Sequence, residues 1–465
     1  MTTTQIQTLV VLGADGDLTR RLLLPGLASL LGSDWGDGRS IQLLGAGLSE
    51  LSDKQWRGRV EDAFADGGHG GNGGHGGHGG RVSRTAQRSH YRKCDVTSVE
   101  DLRSLLAECD GTPALFFALP PAITARACQA LQLVELPEGT VLAMEKPFGT
   151  DRARARELNE LVSTLVPETQ VFRVDHFLGR SDVLNLLGTR FANRLLESVW
   201  NNQHVESIEI VYDESLGLEG RAGYYDNAGA LVDMLQSHLL QVMALLMMDP
   251  VSRVDEREVR DAKGQVLRAT RLRGTPREAS RRARYTAGAI GNHKLTAYSR
   301  EPGVDASRQT ETLAELTVEV DTWRWTGVPV LLRSGKALGR PRKEAVVTLK
   351  PTPHLPTGLL GHDTRDQITI GFKPARLALH LDVSGPGDPF GLETASPVAE
   401  LAEGDLPAYG EVLAGILDGD PLLAVRGDNA EECWRIVEPV LDAWRDHEVP
   451  LDTYAAGSNG PRSWK

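Results

Sequence analysis

Two groups of ionisable side chains in this sequence are candidates for acid–base chemistry. The stretch RVDHFLGR, residues 173–180, contains Asp175 and His176. The run GYYDNAGALVDMLQSHLLQVMALL, residues 223–246, places His238 beside an apolar helical face. Because an imidazole titrates near neutral pH, His238 is a candidate general base that removes the proton of an alcohol.

The helical periodicity of the second run also predicts a polar stripe. Asp233, Ser237 and Gln241 follow one another at i, i+4 and i+8, and His238 lies at the border of that stripe. A histidine in such a place is often only structural, and RVDHFLGR is also compatible with an ordinary charged loop. On the residues alone, both interpretations stay open.

A third group is cationic. The stretch VPVLLRSGKALGR, residues 328–340, ends a predicted strand with Arg333, Lys336 and Arg340. Guanidinium and ammonium groups suit an anionic substrate. Together the three groups predict an enzyme that oxidises an alcohol on a phosphorylated molecule with a nicotinamide cofactor.

The cofactor prediction depends on the stretch VVLGADGDLTRR, residues 10–21. It places Gly13 and Gly16 between a buried strand and a helix, where glycines let backbone N–H groups approach a pyrophosphate. The spacing departs from G-x-G-x-x-G, and glycine pairs also occur in plain turns. Two further strand ends, FALPP at 117–121 and EKPFG at 145–149, strengthen the prediction, because ligands bind beyond the carboxyl ends of parallel strands.

The order of predicted elements favours an α/β domain followed by an α+β domain. Apolar strands at 6–12, 41–47, 114–121 and 140–149 alternate with helices, which predicts a doubly wound, Rossmann-like parallel sheet over residues 1–175. Residues 176–465 are expected to form a substrate-binding and oligomerisation domain with a large, mainly antiparallel sheet. Its strands are predicted in VESIEIVYDE, TLAELTVEV, VPVLLRS, EAVVTLK, DQITIGF and LALHLDV. Helices are predicted at Ala228–Met248, Ala408–Leu417 and Asn429–Trp444.

The composition limits the partners and the compartment. The formal charge of −12 disfavours a nucleic-acid partner, and the basic stretch REASRRARY at 277–285 predicts a solvated surface segment or a loop near a small anion. Four scattered cysteines indicate a reducing compartment without a disulfide or zinc framework. No signal peptide is expected, and the apolar stretch LLQVMALLMM is shorter than the roughly 18 residues of a membrane span. We therefore expect a cytoplasmic protein with no membrane partner.

The glycine-rich stretch DGGHGGNGGHGGHGG, residues 66–80, predicts a mobile loop inside the first domain. Its His69, His75 and His78 offer nitrogen ligands to a stray metal ion. Because nothing rigid sets their geometry, we expect no functional metal site there.

The order of the motifs resembles that of the glucose-6-phosphate dehydrogenase family. GADGDL, FALPP, EKPFG, RVDHFLGR, GLEGRAGYYDNAGALVDMLQSHLLQ, DTWRWTGVPVLLRSGKAL and TYAAGS follow one another almost from end to end. The resemblance implies a homodimer or homotetramer. It also implies oxidation of the C1 hydroxyl of β-D-glucose 6-phosphate to the 6-phospho-lactone, with hydride transfer to NADP⁺ or NAD⁺.

The resemblance also implies roles for individual residues. His238 would take the O1 proton, and Asp175 would orient its imidazole and stabilise its charge. The sugar phosphate would be held by His176 and Arg180. The other sugar contacts would come from Lys146, Lys336, Glu214 and Asp233. The cofactor contacts would come from Gly13, Asp15, Gly16, Asp17, Leu18, Pro120 and Lys146.

Two departures from the family pattern concern the phosphate site. Phe177 stands where a tyrosine is usual, which removes one hydroxyl, and Arg180 replaces a lysine, which keeps the charge but changes its shape. Pro341 replaces a cation for which Arg340 or Arg342 can substitute. With Leu22 in place of another lysine, these changes leave two alternatives open. One is a dehydrogenase of a different hexose phosphate, and the other is a weakly active regulatory paralogue.

Asp15 and Leu48 concern the choice of cofactor. Family members that prefer NADP⁺ generally carry Ser or Thr at the first position and Arg at the second. A carboxylate about 4 Å from a 2′-phosphate is repulsive by about a kcal/mol or more, whereas a 2′-hydroxyl donates a hydrogen bond to it. The resemblance therefore implies a preference for NAD⁺, or use of both. In the alternative, Asp15 faces solvent and Arg20, Arg21 or Arg39 reaches the phosphate.

Overall fold

The computed structural model describes residues 6–67, 78–220, 222–361 and 365–464. The chain divides into two compact units. The first unit comprises Met1–Ser181, Val251–Asp261 and Gly404–Glu431. The second unit comprises Asp182–Pro250, Ala262–Glu403 and Glu432–Lys465.

Both units contain strands and helices, which are numbered in chain order. The strands are β1 (Thr8–Leu12), β2 (Gln42–Gly47), β3 (His90–Lys93), β4 (Pro113–Phe117), β5 (Val141–Glu145), β6 (Val171–Val174), β7 (Val205–Tyr212), β8 (Thr270–Leu272), β9 (Ser280–Thr286), β10 (Gly288–Ile290), β11 (His293–Leu295), β12 (Leu313–Val320), β13 (Pro329–Gly335), β14 (Lys343–Leu349), β15 (Gln367–Phe372), β16 (Ala375–Ser384), β17 (Leu392–Ala395), β18 (Val398–Glu400) and β19 (Leu451–Ala455). The α-helices are α1 (Leu24–Gly32), α2 (Asp53–Gly67), α3 (His78–Gln87), α4 (Val99–Leu106), α5 (Pro121–Leu131), α6 (Arg152–Ser163), α7 (Ser181–Phe191), α8 (Arg194–Val199), α9 (Ala222–Ala230), α10 (Leu240–Met247), α11 (Glu256–Ala269), α12 (Pro276–Ala279), α13 (Ala408–Asp418) and α14 (Gly427–Arg445). Two π-helical segments are Thr19–Leu23 and Leu231–Leu239. Short 3-10 helices are Asp34–Gly36, Glu168–Gln170, Tyr298–Arg300, Ala306–Arg308, Pro421–Leu423 and Arg462–Trp464.

The first unit contains a six-stranded sheet in the order β3-β2-β1-β4-β5-β6, in which every neighbouring pair is parallel. Side chains of β1 alternate between its faces, so that Leu9 and Val11 lie in one buried cluster and Val10 and Leu12 in another. Helices α1, α2 and α13 contribute to the first cluster, and α4, α5 and α6 contribute to the second. Both faces are therefore covered, and the predicted Rossmann-like fold is confirmed. Strands β3 and β6 were not among the predicted strands, because β3 is largely polar and β6 has only four residues.

Helix α13 belongs to the first unit although it follows strands β7 to β18 of the second unit in sequence. Its Val412, Leu413 and Ile416 lie in the same buried cluster as β1 and α1. The first unit also continues to Ser181. The observed division therefore differs from the predicted single boundary between residues 175 and 176. The physical reason is that the apolar face of α13 is buried against a sheet that is remote from it in sequence.

Helix α13 also contributes a half-buried polar contact to this sheet. The Tyr409 hydroxyl donates a hydrogen bond of 3.0 Å to Oε1 of Glu145, the last residue of β5. Burial raises the pKa of Glu145 to about 7, although the Tyr409 hydrogen bond and the charge of Lys146 act to lower it. Glu145 is therefore a carboxyl group whose charge state changes near neutral pH.

The second unit contains an eleven-stranded sheet with the path β17-β16-β15-β14-β7-β13-β12-β9-β19, on which β18 pairs with β16 and β8 pairs with β12. Two pairs, β7–β13 and β9–β19, are parallel. The other pairs of this sheet are antiparallel. The predicted large, mainly antiparallel sheet is confirmed, and each of its six predicted strands is present.

The apolar run predicted as one helix is composed of three consecutive pieces: α9, the π-helical segment Leu231–Leu239 and α10. The run Ala222–Met247 has 26 residues and a mean hydropathy of 1.4 in its most apolar window, so it is longer than the stretch LLQVMALLMM suggested. Of that window, 83% is buried inside the protein. Its apolar composition therefore matches the interior of the second unit, because a helix that is apolar on all sides is a buried one.

The basic stretch at 277–285 is not a loop, and it is only partly the solvated segment that was predicted, because Arg277 and Arg281 are exposed whereas Arg282 is buried. Helix α12 leads directly into β9, which pairs with β12 and β19. Within β9, Arg282 is buried, donates two hydrogen bonds to the Val449 carbonyl and lies 5.5 Å from the ring centroid of Trp444. An arginine can be buried in this way because its donors are satisfied and its guanidinium packs on an aromatic face.

The connection between α2 and α3 is shorter than the loop predicted over residues 66–80. Helix α2 continues to Gly67, and α3 begins at His78. Residues 68–77, which include His69 and His75, and the side chain of His78 lie outside the described residues. The predictions of mobility and of an absent metal site stay predictions.

We expect stability to fall as the pH rises from 5 to 8, in part through Glu145. Its pKa is about 7 in the folded protein against an ordinary value of 4.5, so the folded state binds more protons between these values and loses that advantage as the pH rises. In Glu145→Gln this contribution is absent, and the melting temperature should decline with pH by several degrees less than in the wild type. Calorimetry across this pH range measures the difference. The exposed substitution Glu160→Gln on α6 is the control and should keep the wild-type slope; an equal slope in Glu145→Gln would contradict the prediction.

Candidate active site

One edge of the parallel sheet collects the residues predicted to bind cofactor and substrate in the first unit. Strands β1, β4, β5 and β6 are consecutive neighbours and run in the same direction, so their carboxyl ends lie along one edge. The residues that follow these four ends include Gly13, Pro120, Lys146 and Asp175. Pairing of the strands thus brings together four motifs that are far apart in sequence, at the edge where α/β sheets bind ligands.

The turn after β1 has the geometry of a dinucleotide-binding turn. Gly13 has a φ of +86°, and a Cβ on it would lie 2.4 Å from the Ala118 carbonyl oxygen, so only glycine fits. The Gly16 N–H donates to the Gly13 carbonyl at 3.0 Å and closes the turn. Asp17 and Leu18 then begin the helical run that continues through Thr19–Leu23. This turn brings backbone close to the sheet edge at a helix N-terminus, where a pyrophosphate fits.

Asp15 lies above the carboxyl end of β2. Its carboxylate accepts a hydrogen bond from the Ser49 hydroxyl, and a Cβ on Gly47 would lie 2.9 Å from its Oδ1. The Tyr91 hydroxyl is beside it, and burial together with Asp15 raises the pKa of Tyr91 to about 12. The Asp15 side chain is thus exposed but held in place, and Ser49 is a partner that the sequence did not indicate.

Two of the arginines considered as possible ligands of a 2′-phosphate have different partners. Arg39 forms an ion pair with Asp418, and its guanidinium lies 4.1 Å from the ring centroid of Trp35. Arg21 pairs with Asp17 at 3.3 Å on the exposed surface. The Arg39 guanidinium is therefore already paired with a carboxylate of the first unit.

The RVDHFLGR motif forms a tight turn after β6. Asp175 is buried, and its Oδ1 accepts the Phe177 N–H at 2.9 Å. The His176 ring is stacked on Tyr409 with a centroid distance of 6.0 Å and an interplanar angle of 14°. The Arg180 guanidinium lies 5.3 Å from the centroid of the buried Phe177 ring. The turn therefore presents an imidazole and a guanidinium from one short segment, as predicted, and Tyr409 is a contact that sequence reasoning missed.

His238 lies in the π-helical segment of the second unit and is almost completely buried. The Ser237 hydroxyl donates to the Asp233 carbonyl at 2.9 Å, and the Tyr224 hydroxyl donates to Asp233 Oδ1 at 3.4 Å. Gln241, the third member of the predicted polar stripe, is buried and donates to Cys433 Sγ at 3.4 Å. Gln241 lies on α10, in which every residue is buried, whereas His238, Asp233 and Ser237 lie in the π-helical segment. Such segments are frequent at functional sites.

Lys336 and Glu214 meet at the ends of two neighbouring strands. Their Nζ and Oε2 atoms are 2.6 Å apart, and Lys336 Nζ lies 5.1 Å from the ring centroid of Tyr225. Backbone hydrogen bonds from Glu214 to Gly335 and from Leu338 to Glu214, of 2.7 and 3.0 Å, join the two segments. Two predicted sugar-binding residues are therefore brought together, one as a donor and the other as an acceptor.

The two arginines of the third group, Arg333 and Arg340, and the nearby Arg342 have different surroundings. Arg333 is half-buried and pairs with Asp213 at 3.2 Å and with Glu315 at 2.9 Å, so it neutralises two carboxylates and is not a cation for a substrate. Arg342 pairs with Glu209 at 3.0 Å and with Glu344 at 2.9 Å. Arg340 is exposed, which leaves it the better substitute for the cation replaced by Pro341.

The predicted site residues are distributed over both units. Those in the first unit are Gly13, Asp15, Gly16, Asp17, Leu18, Pro120, Lys146, Asp175, His176 and Arg180. Those in the second unit are Glu214, Asp233, His238 and Lys336. Three further polar residues contact or adjoin the predicted ones and were not predicted: Glu145, Tyr409 and Ser49. Of these three, Glu145 alone could have been found from the sequence, as a carboxylate at the end of an apolar strand.

Family models match the chain over nearly its whole length. The model of the glucose-6-phosphate dehydrogenase NAD binding domain matches residues 10–185, and that of the glucose-6-phosphate dehydrogenase C-terminal domain matches residues 187–465. The glucose-6-phosphate 1-dehydrogenase of Gluconobacter oxydans is 37% identical over 467 residues, covering 97% of this chain and 94% of that protein.

Two solved structures are similar along the full chain. Glucose-6-phosphate 1-dehydrogenase from Mycobacterium avium has a TM-score of 0.85 and 31% identity, and the match covers 99% of this chain and 96% of that one. A glucose-6-phosphate dehydrogenase in complex with its substrate glucose-6-phosphate has a TM-score of 0.86 and 26% identity, and that match covers 100% and 97%. This chain therefore belongs to the glucose-6-phosphate dehydrogenase family, whose members are oxidoreductases that use a nicotinamide dinucleotide.

Proposed function

We propose that this chain oxidises the C1 hydroxyl of β-D-glucose 6-phosphate to 6-phospho-D-glucono-1,5-lactone, the reaction that opens the oxidative pentose phosphate pathway. The observation that carries this proposal is the buried His238 on a π-helical segment of a mostly apolar helix. Membership of the family and the relative solved with glucose-6-phosphate support the choice of substrate.

His238 is the general base in this proposal. Its imidazole accepts the O1 proton, and Asp175 orients the ring and offsets the positive charge that forms. Burial of both side chains excludes competing water and strengthens their electrostatic effect. A nicotinamide dinucleotide held at the Gly13 turn would supply the acceptor for the hydride that leaves C1. The glycine turn at Gly13 fits such a cofactor because it has no room for a Cβ where the backbone meets the sheet edge.

The other residues hold the sugar phosphate in this proposal. His176 and Arg180 bind the phosphate, because one turn presents both and the guanidinium supplies directional donors. The Lys336–Glu214 pair binds sugar hydroxyls, since its ammonium donates and its carboxylate accepts hydrogen bonds. Lys146 contacts sugar oxygens and the nicotinamide, and Asp233 contacts a sugar hydroxyl.

We further propose that NAD⁺ is preferred or used alongside NADP⁺. Support comes from the position of the Asp15 carboxylate above the end of β2, held by Ser49. In dinucleotide-binding folds an acidic residue near this strand end accepts the ribose 2′-hydroxyl and repels a 2′-phosphate. The ion pair of Arg39 with Asp418 weakens the alternative in which Arg39 holds that phosphate.

A homodimer or homotetramer in the cytoplasm completes the proposal. Strand β16, near one end of the large sheet, exposes Leu381 and Val383 on one face, and neighbouring exposed apolar groups are typical of subunit interfaces. None of the four cysteines, all in the described part of the chain, is in a disulfide, which agrees with a reducing compartment. Sedimentation of the wild type and of Val383→Asp tests the interface; a monomeric wild type would contradict it.

Replacement of His238 distinguishes the enzyme from the regulatory paralogue. His238→Asn should lower kcat with glucose 6-phosphate by about 10²–10⁴-fold, because the O1 proton loses its acceptor. Absorbance at 340 nm, followed with both nicotinamide cofactors, measures the rate. The control is His204→Asn, which changes an exposed histidine and should retain wild-type activity. An unchanged rate in His238→Asn would favour the paralogue, and a higher kcat/KM with a different hexose phosphate would favour the other alternative.

Replacement of Asp15 tests the cofactor preference. In Asp15→Ser the ratio of kcat/KM for NADP⁺ to that for NAD⁺ should rise by about 5- to 100-fold, since one charge at about 4 Å is removed. The control is Glu50→Gln, which removes a nearby exposed charge paired with Lys93 and should change the ratio little. A wild-type preference for NADP⁺ of a hundredfold would refute the assignment.

A further inference from the structure

A buried carboxylate caps the helical segment that carries His238. The backbone N–H of Leu231, the first residue of that segment, donates to Glu311 Oε1 at 2.9 Å. The preceding N–H, of Ala230, donates to the Glu311 carbonyl at 3.3 Å. Glu311 is 6% exposed and comes from the loop before β12, far from this helix in sequence. It therefore satisfies two backbone donors at the point where the segment begins.

Gly229 makes room for this cap. Its φ of +65° and ψ of 178° interrupt the helical run immediately before Ala230. A Cβ on Gly229 would lie 2.3 Å from Glu311 Oε1, so any other residue would displace the carboxylate as well as strain the backbone. The break and the cap thus act together. The break frees the Leu231 N–H from the helical run, and the Glu311 carboxylate accepts its hydrogen bond.

The next residue connects the same loop to Lys336. The Lys336 N–H donates to the Thr312 carbonyl at 2.8 Å, and the Tyr454 hydroxyl donates to the Lys336 carbonyl at 2.7 Å. The Thr312 hydroxyl and the Tyr454 hydroxyl are 2.9 Å apart. Adjacent residues of one buried loop therefore hold the His238 segment and the backbone of the proposed sugar-binding lysine.

Arginine and tyrosine side chains interact electrostatically with Glu311. The charge of Arg282 on β9 acts to lower the pKa of Glu311, and Glu311 in turn acts to raise the pKa values of the Tyr225 and Tyr298 hydroxyls. Burial raises the pKa of Glu311 to about 7. A buried carboxyl group is costly, so its retention here is better explained by placement of the backbone than by stability.

We propose that Glu311 is a positioning residue that sets the His238 segment relative to Lys336. This inference rests on the proposed roles of His238 and Lys336. It assigns no contact between Glu311 and the substrate: the residue acts through the Leu231 N–H on one side and, through Thr312, on the Lys336 backbone on the other.

Two substitutions at Glu311 test the proposal. Glu311→Ala should lower kcat by about 10- to 100-fold, because a displacement of the order of 1 Å in a reacting group has such an effect, and should raise the KM for glucose 6-phosphate. The KM for the dinucleotide should stay within about twofold, since the cofactor turn lies in the first unit. Glu311→Gln keeps an amide oxygen for the Leu231 N–H and should restore most of kcat. A Glu311→Ala enzyme with wild-type kcat and KM values, or a Gln variant no better than the Ala variant, would overturn the proposal.

Gly229→Ala reaches the same contact from the other side. It should reproduce the loss of kcat, and its combination with Glu311→Ala should be less harmful than the product of the two single effects, because the clash has been removed. Gly223→Ala in the same helix is the matched control, since a Cβ there meets nothing within 4 Å, and it should be neutral. Strictly multiplicative effects of Gly229→Ala and Glu311→Ala would contradict a shared device.

Amide hydrogen exchange provides a readout that does not depend on catalysis. The Leu231 amide should exchange faster in Glu311→Ala and Gly229→Ala than in Glu311→Gln and the wild type. If the wild type fails to oxidise glucose 6-phosphate, the proposed function fails while this exchange pattern still decides the role of the cap. If the wild type is active and the exchange pattern is absent, only the positioning role fails. Should Glu311→Ala not fold, the Gln and Gly229→Ala variants decide the matter.

Discussion

Parallel pairing of strands is the constraint on which the candidate site residues of each unit depend. Parallel neighbours end on the same edge, so side chains that follow different strands meet there. In the first unit this collects Gly13, Pro120, Lys146 and Asp175 at one edge. The second unit is mainly antiparallel, yet its central pair β7–β13 is parallel, and the residues beyond those two ends include Glu214 and Lys336.

Buried and half-buried carboxyl groups stabilise the segments that carry the candidate site residues. Glu145 accepts the Tyr409 hydroxyl, Asp213 pairs with Arg333, and Glu311 accepts the Leu231 N–H. Burial raises the pKa of each, to about 7, 6 and 7 respectively. Such groups are costly to bury, and they recur where geometry must be exact to a fraction of an ångström. We infer that these carboxyl groups lower the stability of the protein and position the residues around its site.

The departures from the family pattern also have a physical interpretation. Phe177 is buried under Arg180, so the position that lost a hydroxyl supports the guanidinium through its ring. Arg340 is exposed, whereas Arg342 is paired with two carboxylates. The substitutions therefore change how the phosphate would be held and leave the proposed base and its carboxylate in place.

The sequence by itself determined the chemistry and most of the elements. Residue types and motif order indicated the dehydrogenase family, and apolar periodicity predicted the main strands and the helix of His238, because these signals are local. The tertiary structure alone decided which remote residues meet. It placed α13 on the first sheet, assigned Arg333 to two carboxylates, buried Arg282 and Gln241, and brought Glu311 to the start of the His238 segment. Local patterns do not encode these contacts, since they arise from burial and from hydrogen-bond satisfaction between segments far apart in sequence.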